Sequence, residues 1–265
     1  MTGNQGSEII SKSSQKFDVS VIIPTFNCEN TICKTIESIV NQFTKYSYEI
    51  IICDDASTDN TFNLLKTKYS RNKNFSLIQN KHNSGAAISR NNAISKSSGR
   101  FIMFCDADDL WSKEKIEKQI SFMLTKQTPF SYTYYSVFED DLAKRKLIRC
   151  KNEVNYKDLL YFNHICTSTV CYDKTFFGKQ YMPDIRRRQD YALWLKMIKI
   201  KEKFHCLCEE LMYKRIGFES ISDNKFKLFK YNYEVLTKYE KLKPYQALYY
   251  LVILSLKKLV QILVR

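Results

Sequence analysis

Short apolar runs alternate with segments of helical spacing along the first half of this sequence, and this alternation limits the fold more than any other feature. Each apolar run begins roughly 25 to 30 residues after the previous one. Such alternation is typical of βαβ units with right-handed crossovers. We therefore expect an α/β fold with a mostly parallel, mixed sheet flanked by helices. The predicted strands are 19–24, 48–53, 75–78 and 101–105, and the predicted helices are 32–40, 62–69 with Asp59 as its N-cap, and 86–96.

Polar loops follow three of these strands. They are Thr25–Asn27, Asp54–Asp59 and Asp106–Asp109. Ligands of open α/β sheets bind outside the carboxyl ends of the strands, so we expect the three loops to meet in one crevice. The sequence has neither the glycine-rich dinucleotide fingerprint nor a P-loop. Phosphates would therefore be held by a metal ion and basic side chains.

The third of these loops, Asp106-Ala107-Asp108-Asp109, is strongly acidic. Three carboxylates within four positions repel one another unless a cation lies between them. Mg²⁺ or Mn²⁺, bound by oxygen ligands and shared with substrate phosphates, would supply that cation. The alternative is a solvated acidic turn that caps a helix starting near Ser112. The expected convergence of the three loops favours a binding site.

The second half of the chain is less regular. It predicts a helix over 113–126, a strand over 130–138 and another strand over 165–172. A basic run then leads into a segment of helical spacing that starts at or near Asp190. Local sequence leaves two interpretations of Asp190 open, a helix cap and a functional carboxylate.

Five motifs of the chain, in this order, resemble those of the family 2 glycosyltransferases. These are inverting, nucleotide-sugar-dependent enzymes with the GT-A fold. The resemblance extends from about residue 17 to residue 222. Each motif alone is weak, and it is their order and spacing that make the match specific. The matching segments are Val19–Asn27, Asp54–Asp59, Asn83–Asn91, Asp106–Asp109 and Gln189-Asp190.

The resemblance implies a donor site for a nucleotide-diphosphate sugar. Pro24, Phe26 and Asp55 would line the nucleoside pocket, with Asp55 accepting a hydrogen bond from the base. Asp106 and Asp108 would serve the ribose and the divalent ion (Mn²⁺ or Mg²⁺), with Asp108 as the direct metal ligand. The implied donor-binding set is Pro24, Thr25, Phe26, Asn27, Asp55, Gly85, Arg90, Asp106 and Ala107, in which Arg90 would reach the diphosphate or steady the acidic loop.

The resemblance also implies that Asp190 is the general base, because it matches the second residue of the family's usual Glu-Asp pair. Inversion needs a base that takes the acceptor hydroxyl's proton, and the departing diphosphate gains charge that a divalent ion neutralises. Two positions depart from the family pattern. Gln189 replaces the Glu of the pair, and Gly217 replaces a His of a late motif. Lys214 or Arg215 would then supply positive charge to the diphosphate.

The net charge of the chain calls for an anionic partner. It is +14 at pH 7, which suits nucleic acid, nucleotide phosphates or an acidic membrane. We recognise no nucleic-acid-binding motif, so we do not expect nucleic acid as a partner. The nine cysteines are scattered without metal-site spacing, which indicates reduced thiols and a cytoplasmic location. Residues 1–16 are polar and predict a disordered tail without a signal peptide.

The segment 223–265 lies outside the resemblance and predicts a C-terminal extension of two helices. The second helix would begin at Pro244. Its apolar stretch, 249–264, is interrupted by Lys257 and Lys258. This pattern favours a helix in the membrane interface, with basic groups toward anionic lipid headgroups. The alternative is a helix packed on the catalytic domain, 17–222, or on a second subunit, which leaves a homo-oligomer open.

These features together predict an enzyme. It would transfer a sugar, with a UDP-sugar as the expected donor, to a hydroxyl of a lipid-linked surface polysaccharide such as O-antigen or capsule. It would be peripheral on the inner face of the cell membrane. The alternative is a catalytically inactive member that binds nucleotide sugar or scaffolds a glycan assembly complex. The presence of both Asp108 and Asp190 argues against that alternative.

Overall fold

The computed structural model describes residues 17–217 and 225–263. Four sequence-based predictions fall wholly or partly outside these ranges. They are the tail at 1–16, the late motif continuing through 218–220, the domain boundary at 222, and the last two residues, 264–265.

The N-terminal half has the predicted alternation of strands and helices. Strand β1 pairs in parallel with β2 and β4, and β2 pairs in parallel with β3. The carboxyl ends of these strands therefore lie at one edge of the sheet, which is where the polar loops begin. The elements are β1 Val19–Thr25, α1 Ile32–Val40, β2 Tyr48–Asp54, α2 Thr61–Tyr69, β3 Phe75–Gln79, α3 Ala86–Lys96 and β4 Phe101–Phe104.

The following segment widens the sheet with pairs of both directions. Strand β9 is antiparallel to both of its neighbours, β4 and β6. Strand β10, in contrast, runs parallel to β6. In the described ranges the strand order is β3-β2-β1-β4-β9-β6-β10-β5, with β7 paired to β6 and β8 to β10. The elements are β5 Leu110–Trp111, α4 Lys115–Lys126, β6 Phe130–Phe138, β7 Lys146–Ile148, β8 Glu153–Asn155, α5 Tyr156–Tyr161, β9 Cys171–Asp173, α6 Lys174–Phe177, α7 Gln189–Lys201 and β10 Lys203–Arg215.

Helices cover both faces of the sheet, as expected for an α/β fold. Side chains alternate along the central strands, so Ile22 and Ile51 enter one core while Val21 and Ile50 enter the other. The first core also takes residues of α3, α5 and α7, and the second takes residues of α1, α2 and α4. All nine cysteines are free, and eight of them are buried or partly buried.

The C-terminal residues form the two predicted helices. They are α8, Lys225–Glu234, which continues into a π-helical segment, Val235–Tyr239, and α9, Pro244–Leu263. Ala247 and Leu251 of α9 are buried in the first core. None of the helices within 17–217 and 225–263 is long and apolar enough to cross a membrane.

Three local predictions are wrong in detail. The segment 165–172 is not one strand, because a 3₁₀ turn at Thr167–Thr169 precedes the short strand β9. Helix α4 begins at Lys115 rather than at residue 113. The N-cap of α2 is Asn60, and Asp59 instead accepts a hydrogen bond from the Thr61 N–H at 3.0 Å. Serine, threonine and aspartate bond readily to nearby backbone groups, and such local bonds shift element boundaries.

Candidate active site

The loops that follow β1, β2 and β4 border one cavity of about 560 Å³. The structure thus brings together side chains that lie far apart in the sequence. Most of the predicted donor-binding residues line this cavity, together with the predicted metal ligand and one of the two basic residues of β10. Those lining it are Pro24, Thr25, Phe26, Asn27, Asp55, Arg90, Asp106, Ala107, Asp108 and Arg215.

Asn27 joins the first loop to the second. Its backbone has φ = 47°, a left-handed conformation that asparagine tolerates better than most residues. Its Oδ1 accepts a hydrogen bond from the Thr58 N–H at 2.8 Å, and its own N–H donates to Ser57 Oγ at 3.0 Å. These bonds hold the two loops at a fixed separation on one side of the cavity.

Asp55 is held by the loop before α3. Its Oδ1 accepts hydrogen bonds from Asn80 Nδ2 at 2.7 Å and the Ser84 N–H at 2.9 Å, and its Oδ2 accepts from the Gly85 N–H at 2.7 Å. Burial would raise the pKa of Asp55, but the bonds from Ser84, Asn80 and Gly85 outweigh it and lower that pKa below its usual value. Gly85, with φ = 91°, does not line the cavity and acts on it through this backbone bond.

Arg90 lines the cavity, but its side chain is largely buried and is paired with the acidic loop. Its side chain is 7% exposed, and Nη2 is 2.5 Å from Asp106 Oδ1. Burial would raise the pKa of Asp106, but the charges of Arg90 and Lys214 outweigh it and lower that pKa. This ion pair fits one of the two roles predicted for Arg90, that of steadying the acidic loop.

The other two carboxylates of the acidic loop face different surroundings. Asp108 lies at the cavity surface, where the atoms packed around its carboxylate and the negative charge of Asp106 raise its pKa. Asp109 is buried, and burial raises its pKa to about 8. Its Oδ1 accepts a hydrogen bond from the Arg215 N–H at 3.3 Å. Asp109 therefore connects the acidic loop to the end of β10.

This arrangement fits a metal ion whose coordination shell is completed by the substrate. Within the described ranges, no group of three His, Cys, Asp or Glu residues is placed to hold a metal ion. Magnesium-type sites often need only one or two carboxylates, because substrate phosphates and water provide the other ligands. Asp106 is paired with Arg90 and Asp109 is buried against β10, so Asp108 is the carboxylate available for such an ion.

Asp190 lies in a second, larger cavity of about 1010 Å³. It occupies the first turn of α7, as predicted, and its Oδ2 accepts a hydrogen bond from Thr167 Oγ1 at 2.9 Å. Lys214 lines this cavity, while Arg215 lines the first one. Successive side chains of a strand point to opposite sides, which separates the two basic residues that the sequence pattern had grouped together.

The 3₁₀ turn at Thr167–Thr169 makes hydrogen bonds to one residue of each cavity. Ser168 Oγ accepts a hydrogen bond from the Asp106 N–H at 3.0 Å. The adjacent Thr167 orients Asp190 by donating a hydrogen bond to its carboxylate. Sequence reasoning missed both residues because the threonines around Ser168 favour a strand. The available signal was the run of three hydroxyl residues, since such side chains compete for backbone hydrogen bonds.

The remaining candidate positions lie near the second cavity or outside both. Gln189, in place of the family's Glu, is buried, and its Oε1 has no hydrogen-bond partner within the described ranges. His164 lines the second cavity, whereas His205 contacts Thr128 and Glu153 and lines neither. His82 is exposed. No histidine lines the first cavity.

Comparison with known families and relatives gives a consistent result. The model of the family "Glycosyl transferase family 2" matches residues 20–182. The chain is 36% identical to WfgD of Escherichia coli, a UDP-Glc:alpha-D-GlcNAc-diphosphoundecaprenol beta-1,3-glucosyltransferase, over 91% of this chain and 94% of WfgD. It is also 36% identical to TuaG of Bacillus subtilis (strain 168), a glycosyltransferase assigned to teichuronic acid biosynthesis, over 84% of this chain and 89% of TuaG.

Solved structures share the fold at lower identity. A structure of S. aureus TarS 1-349 in complex with UDP-GlcNAc superposes with a TM-score of 0.68 at 20% identity, over 89% of this chain and 71% of that one. The mannosyltransferase PcManGT from Pyrobaculum calidifontis, in complex with GDP-Man and Mn²⁺, superposes with a TM-score of 0.66 at 15% identity, over 90% and 72%. The mixed α/β sheet flanked by helices is thus the GT-A fold.

Proposed function

Because this chain belongs to glycosyl transferase family 2, and is therefore a glycosyltransferase, we propose that it transfers a sugar from a UDP-sugar to a hydroxyl of a lipid-linked saccharide. The observation that supports this proposal is the turn at Thr167–Thr169, which is hydrogen-bonded both to Asp106 of one cavity and to Asp190 of the other. One cavity would take the donor and the other the acceptor. The acceptor class is supported by the name of WfgD, and a role in surface-polysaccharide assembly by that of TuaG.

The first cavity suits a nucleoside diphosphate. Phe26 lines it and is 46% exposed, which leaves a ring face for contact with the base. A carboxylate oxygen accepts up to two hydrogen bonds, and Asp55 Oδ2 accepts one, from Gly85. The remaining acceptor site would receive an N–H of the uracil. Asp106, fixed by Arg90, would bind the ribose.

Asp108 would hold the divalent cation together with the donor diphosphate. Such a cation, when bound, neutralises the charge that develops on the departing nucleoside diphosphate. Arg215 lines the same cavity and adds a fixed positive charge near that group. Lys214 lines the acceptor-side cavity, and its charge also lowers the pKa of Asp106. Lys214 or Arg215 would thus supply the positive charge of the histidine that Gly217 replaces.

Asp190 would act as the general base of an inverting transfer. Its carboxylate would take the proton of the acceptor hydroxyl as that oxygen attacks the anomeric carbon. The hydrogen bond from Thr167 occupies Oδ2, which orients the carboxylate and leaves Oδ1 for the proton. Asp190 lines a different cavity from Asp108 and Arg215, so the base and the diphosphate would lie on different sides of the transferred sugar, which suits inversion.

Helix α9 would hold the enzyme at the membrane surface. Five of its large apolar side chains recur at helical spacing and are about half exposed or more. Lys241 and Lys243, just before the helix, are exposed as well. Exposed apolar residues flanked by basic ones are typical of interfacial helices. The side chains of Lys257 and Lys258 lie outside the described part. The apolar face consists of Tyr245, Leu248, Tyr249, Val252 and Leu256.

Replacing Leu248, Val252 and Leu256 together by serine should weaken binding to phosphatidylglycerol vesicles at least tenfold. Burying each such side chain in the interface contributes up to about 1.5–3 kcal/mol, which serine lacks. Truncating the helix would be a poorer test, because Ala247 and Leu251 belong to the core. Vesicle sedimentation in low and high salt measures the effect, and high salt should weaken binding of the unaltered protein.

The matched control for this test replaces three exposed apolar residues elsewhere. Phe43, Phe176 and Ile200 are 78%, 50% and 54% exposed, and their serine variant should sediment with vesicles as the unaltered protein does. If both triple variants bind equally well, the apolar face of α9 is not the anchor.

The proposed function is tested by a panel of UDP-, GDP- and dTDP-sugars with Mn²⁺. A ligand that binds the folded state stabilises it by about 2.7 kcal/mol at 100 times its Kd, so UDP-sugars should raise Tm. The stabilising sugar is then supplied with a lipid-diphosphate-linked saccharide, and release of UDP is measured. Stabilisation without turnover on any acceptor would favour the catalytically inactive alternative. A GDP- or dTDP-sugar as the only stabilising ligand would overturn the donor assignment.

A further inference from the structure

The acceptor-side cavity continues into a small apolar cavity next to α9. This small cavity has a volume of about 140 Å³ and shares three lining residues, Phe162, Asn163 and Arg188, with the cavity that contains Asp190. Beyond these shared residues the small cavity is mostly lined by leucines. They are Leu159, Leu160, Leu236, Leu251 and Leu254. One cleft therefore runs from a polar region at Asp190 to an apolar region at α9.

Positive charge is concentrated in the polar part of this cleft. Its lining has one carboxylate, that of Asp190, and four basic side chains, those of Arg149, Lys151, Arg188 and Lys214. Lys151 is paired with Asp158 at 2.6 Å, outside the cavity lining. The other basic residues leave a net positive lining, which suits an anionic ligand.

Arg188 lies at the boundary between the polar and apolar parts. Its backbone has φ = 65°, a left-handed conformation that is uncommon for a residue other than glycine. Its Nε is buried and has no hydrogen-bond partner within the described ranges. Arg188 is the N-cap of α7, and Asp190 lies two residues further on, in the first turn of that helix. A ligand held by Arg188 would thus reach Asp190 on one side and the leucines on the other.

We propose that Arg188 binds the diphosphate that joins the acceptor sugar to its lipid, and that the apolar cavity takes the lipid segment next to that diphosphate. This inference rests on the proposed function, which assigns a lipid-linked acceptor to this side of the enzyme. The order of the cleft matches the order of such a molecule: sugar hydroxyl at Asp190, diphosphate at Arg188, hydrocarbon at Leu251 and Leu254. An arginine suits the diphosphate because its planar guanidinium donates paired hydrogen bonds to phosphate oxygens.

The test compares Arg188→Gln with Arg186→Gln by calorimetric titration with farnesyl diphosphate. UDP and Mg²⁺ are present in excess, so that the donor cavity is filled. Both variants lose one positive charge from the same basic run, but Arg186 is exposed and lines neither cavity. We expect Arg188→Gln to weaken binding at least tenfold and Arg186→Gln to change it less than twofold. Equal binding by the two variants would overturn the role of Arg188.

The apolar part has its own test in the same titration. Inorganic pyrophosphate should bind the unaltered protein at least tenfold more weakly than farnesyl diphosphate. Leu254→Trp, which fills the small cavity, should remove most of that difference. If pyrophosphate binds as tightly as farnesyl diphosphate, or if Leu254→Trp leaves the difference intact, the lipid assignment is wrong.

Failure of this inference can be told apart from failure of the proposed function. The thermal shift caused by a UDP-sugar reports on the donor cavity and is measured on the same variants, which also shows that they fold. A chain that responds to UDP-sugars but binds farnesyl diphosphate independently of Arg188 would contradict only the present inference. A chain that responds to no nucleotide sugar would contradict the proposed function.

Discussion

Replacing Asp190 by asparagine is expected to lower kcat by about 10² to 10⁴, the range that a positioned general base contributes. An amide has nearly the same shape as a carboxylate but does not take up a proton at neutral pH. The asparagine oxygen would still accept the hydrogen bond that Thr167 donates to Asp190. The substitution therefore removes the proton acceptor and leaves the local structure in place.

The effect of this substitution should appear in kcat and not in donor binding. Asp190 lies outside the cavity assigned to the donor, so the thermal shift caused by a UDP-sugar should be unchanged. Asp184→Asn provides the control, because Asp184 is an exposed carboxylate six residues earlier that lines neither cavity. Steady-state kinetics with a lipid-diphosphate-linked acceptor measure the difference. An Asp190→Asn enzyme with unaltered kcat would remove Asp190 from the mechanism.

The N-terminal half of the fold could be predicted because its signals are local. Each strand there is a short apolar run, each helix has apolar residues at helical spacing, and parallel pairing requires all the strands to end at one edge. The meeting of Thr25–Asn27, Asp55 and Asp106–Asp108 at one cavity follows from that topology. What the sequence does not contain is the pairing of Arg90 with Asp106, which depends on how α3 packs behind the acidic loop.

The acceptor side was harder to predict because its elements are short and irregular. The threonines on either side of Ser168 have high strand propensity, yet they form the 3₁₀ turn that holds Asp190 and Asp106. Tertiary contacts override propensity in such a short segment. Strand β10 went unrecognised as well, and with it the alternation that sends Lys214 and Arg215 to different cavities. Arg188 has no motif of its own, and its position between two cavities emerges only from the packing of α5, α7 and α9.

Removal of divalent cations with EDTA is expected to lower activity by at least about 10³, and Mn²⁺ or Mg²⁺ should restore it. Neutralising the charge of a departing diphosphate is worth several kcal/mol, and each 1.36 kcal/mol corresponds to a factor of ten in rate. Lys214 and Arg215 carry one charge each and line different cavities, so we do not expect them to replace a divalent ion that binds both phosphates. Assays in chelator and with graded Mn²⁺ measure the dependence, and full turnover in EDTA would contradict it.

Asp108→Asn should show that this dependence arises at Asp108. The amide keeps the size of the side chain but removes the charge that binds the cation, and hard divalent ions prefer carboxylate oxygens. In the unaltered protein Mn²⁺ should increase the Tm shift caused by UDP, and in Asp108→Asn this increase should disappear. Asp140, which is exposed and lies outside the donor cavity, provides the control as Asp140→Asn. A variant at position 108 that still binds UDP more tightly with Mn²⁺ would place the cation on another residue. Within the loop, Asp106 is already paired with Arg90, and Asp109 is buried.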